Sequence, residues 1–116
     1  MARLPEGCIW RVSDYKQRTV SLYVNERDHI INNHPDMGTS FDKIYDSIKT
    51  PDSVYQSSQS TIREVYFKST TSPNPAKPLV IKTIVEYDNY DDGKIITSFR
   101  QPKIGGGISD QLYPKG

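Results

Sequence analysis

The chain has 116 residues, a formal net charge of +1 and 34% hydrophobic residues. That length suits one domain, and so balanced a charge excludes a general attraction to nucleic acid or to membrane surfaces, leaving only local contacts. No apolar run approaches the ~20 residues that a bilayer-spanning helix needs.

Composition points to a sheet. Twelve Ile, seven Val, eight Thr and eight Tyr stand against four Leu and two Ala, a balance that disfavours an all-helical protein. The opening residues, Met-Ala-Arg-Leu-Pro-Glu-Gly-Cys, form no apolar run, and secretion by a cleaved signal is not expected. The lone Cys8 has no internal disulfide partner and no thiolate companions for zinc. A reducing, cytoplasmic setting is expected.

In chain order, residues 1–18 are polar and mildly basic, with Trp10 and Val12 as anchors. Thr19 to Val24 alternates and reads as a strand. Asn25 can cap a helix carrying Glu26 and Asp28 in its first turn, ending near His34 because Pro35 disfavours helical geometry in the residue before it. A second helix follows Thr39 or Ser40, since Phe41, Ile44, Tyr45 and Ile48 form one apolar stripe of helical period. Short strands are expected at 53–56 and 61–68, then an irregular loop over 69–78. Leu79 to Tyr87 is the strongest strand, Asp92-Gly93 signals a hairpin, and Ile95 to Arg100 is the last strand. Gly105-Gly106-Gly107 begins a tail. The order predicts a single α+β domain over 1–116, with a core of about 19–104 and peripheral arms at 1–18 and 105–116.

Alternation divides each strand into two faces. Leu79, Ile81, Thr83, Val85 and Tyr87 read as the core face of their strand. Grouping Arg63, Val65 and Phe67 with Ile95, Thr97 and Phe99 on that face leaves three polar intruders, Arg63, Thr83 and Thr97. A buried polar group without partners costs a few kcal/mol, so such residues sit at a core margin or line a cleft. His29 borders the apolar stripe of the first helix and is their natural partner. Imidazole, guanidinium and hydroxyl together suit a phosphodiester: charge neutralisation, a hydrogen bond and proton transfer near neutral pH. The plain alternative pairs Arg63 with Glu64 or Glu86, leaves His29 in solvent and attributes the threonines to strand propensity.

An ordered series of short signatures adds a resemblance. Asp28-His29-Ile30 and His34-Pro35-Asp36 precede Thr50-Pro51-Asp52-Ser53-Val54. Arg63-Glu64-Val65-Tyr66-Phe67-Lys68 and Ile95-Ile96-Thr97-Ser98-Phe99 follow. Over about residues 25–104 this resembles the phage-associated branch of the barnase–EndoU–colicin–RelE-like nucleases. The resemblance implies N-terminal helices packed on a four-stranded antiparallel sheet and metal-independent RNA cleavage. It implies a catalytic set of His29, Arg63, Tyr66, Lys68, Thr97 and Ser98, with Lys82, Arg100 and His34 as substrate contacts. In that reading a 2′-hydroxyl attacks the neighbouring phosphate, leaving a 2′,3′-cyclic phosphate. His29 moves the proton, Arg63 and Lys68 stabilise the added charge, Thr97 and Ser98 hold the non-bridging oxygens, and Tyr66 orients a base.

Tyr66 and Lys68 lie opposite Arg63 in a regular strand, so one cleft needs a bulge or twist to gather them. His34, before Pro35, also suits a helix-end capping role. No metal and no cofactor are expected, because His29 and His34 at i, i+5 fall on different helical faces. The expected partner is RNA, with a cognate immunity or antitoxin protein as a second. The alternatives are a non-catalytic RNA- or protein-binding module of the same fold, and an immunity- or antitoxin-type binder using Glu64, Tyr66, Lys68 and Glu86.

Overall fold

Seven strands and two helices make up the computed structural model of the chain, which describes residues 4–114. The first hairpin is β1 (Cys8–Ser13) and β2 (Thr19–Tyr23). Helix α1 (Val24–Asn33), a short 3-10 turn (Pro35–Thr39) and α2 (Phe41–Lys49) come next. Then follow β3 (Ser53–Ser57), β4 (Arg63–Thr70), β5 (Leu79–Tyr87), β6 (Asp92–Gln101) and β7 (Ile108–Tyr113). All the strands join one sheet in the order β1-β2-β6-β5-β4-β3-β7.

This corrects the expected four-stranded antiparallel architecture. The sheet is mixed: β2 runs parallel to β6 from Thr19↔Asp92 to Ser21↔Lys94, and the other pairs are antiparallel. The segments expected as peripheral arms supply its two edge strands. Neither has the strong alternation of β5, and each is held by its pairing partner: β1 by the hairpin with β2, β7 by β3. Among the described residues no helix is long and apolar enough to cross a membrane.

The apolar stripe of α2 buries Ile44 and Ile48 against β4, β5 and β1. With Val20, Leu22, Ile30, Met37, Val54, Ile81, Val85 and Ile95 they form the core. Truncating such a buried Ile to Ala costs about 2–5 kcal/mol. Gly93 permits a close approach, because a Cβ there would sit 2.7 Å from Cε1 of Tyr87 and 2.9 Å from Cγ1 of Val85.

Directly paired residues share a sheet face, so register assigns every side chain. Tyr66, Thr83 and Ser98 pair in a row on the helix-covered face, where Thr83 Oγ1 lies 2.9 Å from Ser47 Oγ of α2. Phe67, Lys82 and Phe99 form the next row, on the far face. A bulge in β6 resets the phase: Ile95 pairs with Val85 but Thr97 pairs with Ile84, leaving Ile96 as the extra residue.

The far face is covered in part by the chain itself. Between β6 and β7, residues 102–107 cross it as a strap, because the two strands lie on opposite sides of the β5–β4–β3 layer. Gly105, Gly106 and Gly107 have φ of 154°, 83° and 69°, a region that favours glycine. The sheet also curls, bringing the Tyr15 ring of the first hairpin to 5.4 Å from that of Tyr113 in β7.

Candidate functional site

A row of aromatic and cationic side chains occupies the far face beside the strap. Lys82 is 8% exposed. Its Nζ donates to the carbonyls of Gly106 at 2.7 Å and Gly105 at 3.1 Å. It lies 5.6 Å from the centre of the Phe99 ring and 6.0 Å from that of Phe67. Burial lowers the Lys82 pKa from the usual lysine value. The His34 imidazole, at the end of α1, is stacked on Phe99 with ring centres 4.8 Å apart. Thr97, two residues before Phe99 on the same strand, shares its face and is half-buried.

Arg63 stands two strands away on this face, paired with Glu86 in β5. Its Nε donates to Glu86 Oε1 at 3.0 Å. Arg63, Val65, Lys82 and Ile84 line a small pocket, about 140 Å³, closed by Ser57, Gln59, Gly106 and Gly107. Cations beside a half-buried aromatic ring, Phe99, with an imidazole stacked on it suit single-stranded nucleic acid, in which bases stack and phosphates take the charges.

The structure therefore gathers Arg63, Lys82 and Thr97 on one face, with His34 at its rim. His29 is not among them. It lies on the solvent side of α1, exposed together with Asn25, Asp28, Asn32 and Asn33. The expected meeting of His29 with Arg63 and Thr97 does not occur. The β6 bulge explains half of the difference, since it turns Thr97 away from the core face that Ile95 occupies. On β4 the core-side residues are Glu64, Tyr66 and Lys68, whereas Val65 and Phe67 are buried from the far side.

Four other expected site residues face the helices and are engaged there. Ser98 is fully buried, 2.9 Å from Thr83 Oγ1. Lys68 Nζ donates to the Thr50 carbonyl at 2.6 Å, pinning the end of α2. Arg100 donates to the Asp36 carboxylate at 3.1 Å and also bonds Ser40 Oγ. Tyr66 belongs to a buried polar clasp. Its hydroxyl lies 2.5 Å from that of Tyr87 and 3.3 Å from Asp14 Oδ2.

Asp14 is the centre of that clasp. It accepts from Tyr87 at 2.7 Å, from Arg18 Nε at 2.8 Å, and from the backbone N–H of Lys16 and Arg18. Arg18 continues to Glu64, which also accepts from Tyr15 at 2.8 Å. Burial raises the hydroxyl pKa of Tyr66 and Tyr87 well above the usual tyrosine range. Glu64 and Tyr66 are thus withdrawn from the exposed surface that the immunity-type reading requires.

Sequence reasoning left Phe99, Gln59, Gly106 and Gly107 out of the site. The signal available was the triple glycine, unusual enough to mark backbone that must turn where side chains cannot. Among the described residues no group of three His, Cys, Asp or Glu side chains is placed to hold a metal ion. Comparison with protein families, with curated proteins and with solved structures finds no match to this chain. Fold and site define a small mixed-sheet domain with a basic, aromatic face, and function is argued from that face.

Proposed function

We propose that the protein is a metal-independent ribonuclease that works on the far face of its sheet, with His34 supplying the imidazole. One observation carries the reading: His34 is stacked on Phe99, in the same face as Thr97 and directly across from Lys82. His34 transfers the proton, Thr97 donates a hydrogen bond to a non-bridging oxygen, and Lys82 offsets the charge added in the transition state. The 2′-hydroxyl attacks phosphorus, the P–O5′ bond breaks, and the products are a 2′,3′-cyclic phosphate and a 5′-hydroxyl. The family resemblance supports the reaction class but names His29 for the proton, and the solvent-side position of His29 favours His34 instead.

A second reading is RNA binding without cleavage. It is favoured by the presence of one imidazole at this face, because in-line transesterification uses both a base and an acid. Incubation of single-stranded RNA with the protein in excess chelator, with end-group analysis, separates the two. Cyclic phosphate ends support the nuclease. Retention of intact RNA, lost on Lys82→Gln, supports the binder. Neither cleavage nor binding removes RNA from this face.

A further inference from the structure

We propose that the pocket beneath the glycine strap is a phosphate subsite, holding a backbone phosphate of single-stranded RNA next to the one at Thr97. The proposal rests on the RNA reading of the far face and adds to it a second contact of defined chemistry. At about 140 Å³ the pocket is below the roughly 300–1,000 Å³ of sites for drug-sized ligands, so it takes a small group.

Its donors suit an anion. Glu86 occupies only Nε of Arg63. Among the described residues the two terminal guanidinium nitrogens make no hydrogen bond, and paired N–H groups of this kind grip phosphate in bidentate fashion. Lys82 gives two of its three hydrogens to the strap carbonyls and keeps one. The N–H groups of Gly106 and Gly107 make no hydrogen bond among the described residues, although both residues line the pocket. Gln59 and the Ser57 hydroxyl complete the rim.

The strap also explains why residue 106 is glycine beyond its φ of 83°. A Cβ there would sit 3.0 Å from Lys82 Nζ and crowd the ammonium in its bond to the strap carbonyls.

The test is a titration of the full chain with inorganic phosphate, followed by amide NMR. The expected result is saturable shifts at Gly106, Gly107 and Lys82, with affinity about tenfold weaker in Arg63→Gln, the loss of one charge-assisted pair. Gly106→Ala, which keeps every charge, weakens binding as well. Equal affinity in wild type and both variants, or shifts confined to other surfaces, overturns the proposal. RNA cleavage is measured in parallel. Phosphate binding here with no action on RNA keeps the pocket and removes the nuclease. Cleavage with phosphate affinity and KM unchanged in Arg63→Gln keeps the nuclease and removes the pocket.

Discussion

His34 and Phe99 lie nearly parallel, 25° between ring planes, so a residue at the end of the first helix is fixed against the last strand of the antiparallel run. The stack holds the imidazole at the rim of the sheet, while His29, five residues earlier, points to solvent.

The two histidines therefore separate in a cleavage assay. His34→Ala is expected to lower the rate of RNA cleavage by about 10²–10⁴-fold, the usual worth of a proton-transfer group. His29→Ala is expected to stay within a factor of two or three of wild type, since an exposed helix position contributes little. The reverse pattern would return the chemistry to α1.

The clasp around Asp14 makes a prediction about stability. Asp14 is 3% exposed and accepts bonds from Arg18, Tyr66 and Tyr87. Asp14→Ala removes the acceptor of Arg18 Nε and of the Tyr66 and Tyr87 hydroxyls, while Arg18 keeps Glu64, and breaking one side of such a buried ion pair costs about 3 kcal/mol. Urea unfolding measures it. A shift of the midpoint below that of a surface control such as Asp110→Ala would show that the clasp is dispensable.

Alkaline pH acts through the same group. Tyr66 and Tyr87 have hydroxyl pKa values raised by burial from an ordinary value of 10.0, so the folded state keeps protons that the unfolded chain releases. Stability from this source is full below pH 10.0 and falls as pH rises above it. The slope is about 1.4 kcal/mol per pH unit for each tyrosine held neutral. Denaturant melts between neutral pH and strongly alkaline pH read it. In Tyr87→Phe the slope should shrink.

Gly93 offers a steric test free of charge effects. Gly93→Ala places a methyl 2.7 Å from Tyr87 Cε1, against the wall of the clasp. Overpacking of this kind costs about 1–3 kcal/mol. Gly38→Ala, where a Cβ meets nothing within 4 Å, is the control. Equal melting temperatures for the two variants would mean that the Tyr87 ring moves aside freely.

Local signals were readable where one physical cause decides. The stripe of Phe41, Ile44, Tyr45 and Ile48 defines α2, Pro35 stops α1, and the alternation of Leu79 to Tyr87 defines β5. Phase on β6 was not readable, because the bulge at Ile96 depends on pairing with Ile84 and Val85, far away in sequence. The faces of β4 differ from the expected ones for a related reason. Apolar Val65 and Phe67 look like core, but Val65 lies beside the glycine strap and Phe67 is packed against Tyr55 and beneath Lys82, all on the far face. Tyr66 and Glu64 look exposable until Asp14 and Arg18 arrive from the first hairpin. Of the candidate site, Arg63, Lys82, Thr97 and His34 are all legible as residue types, but the stacking of His34 on Phe99 depends on where α1 ends.

The contact of Tyr15 with Tyr113 has a temporal consequence. During synthesis β1 and β2 appear before the other strands, but the ring that packs beside Tyr15 lies in β7 and appears only after both helices and the four strands β3 to β6. Native closure must wait for β7, and until then the first hairpin lacks that contact. Stalled nascent chains cut off before residue 108 should be far more protease-sensitive than those extended beyond Tyr113.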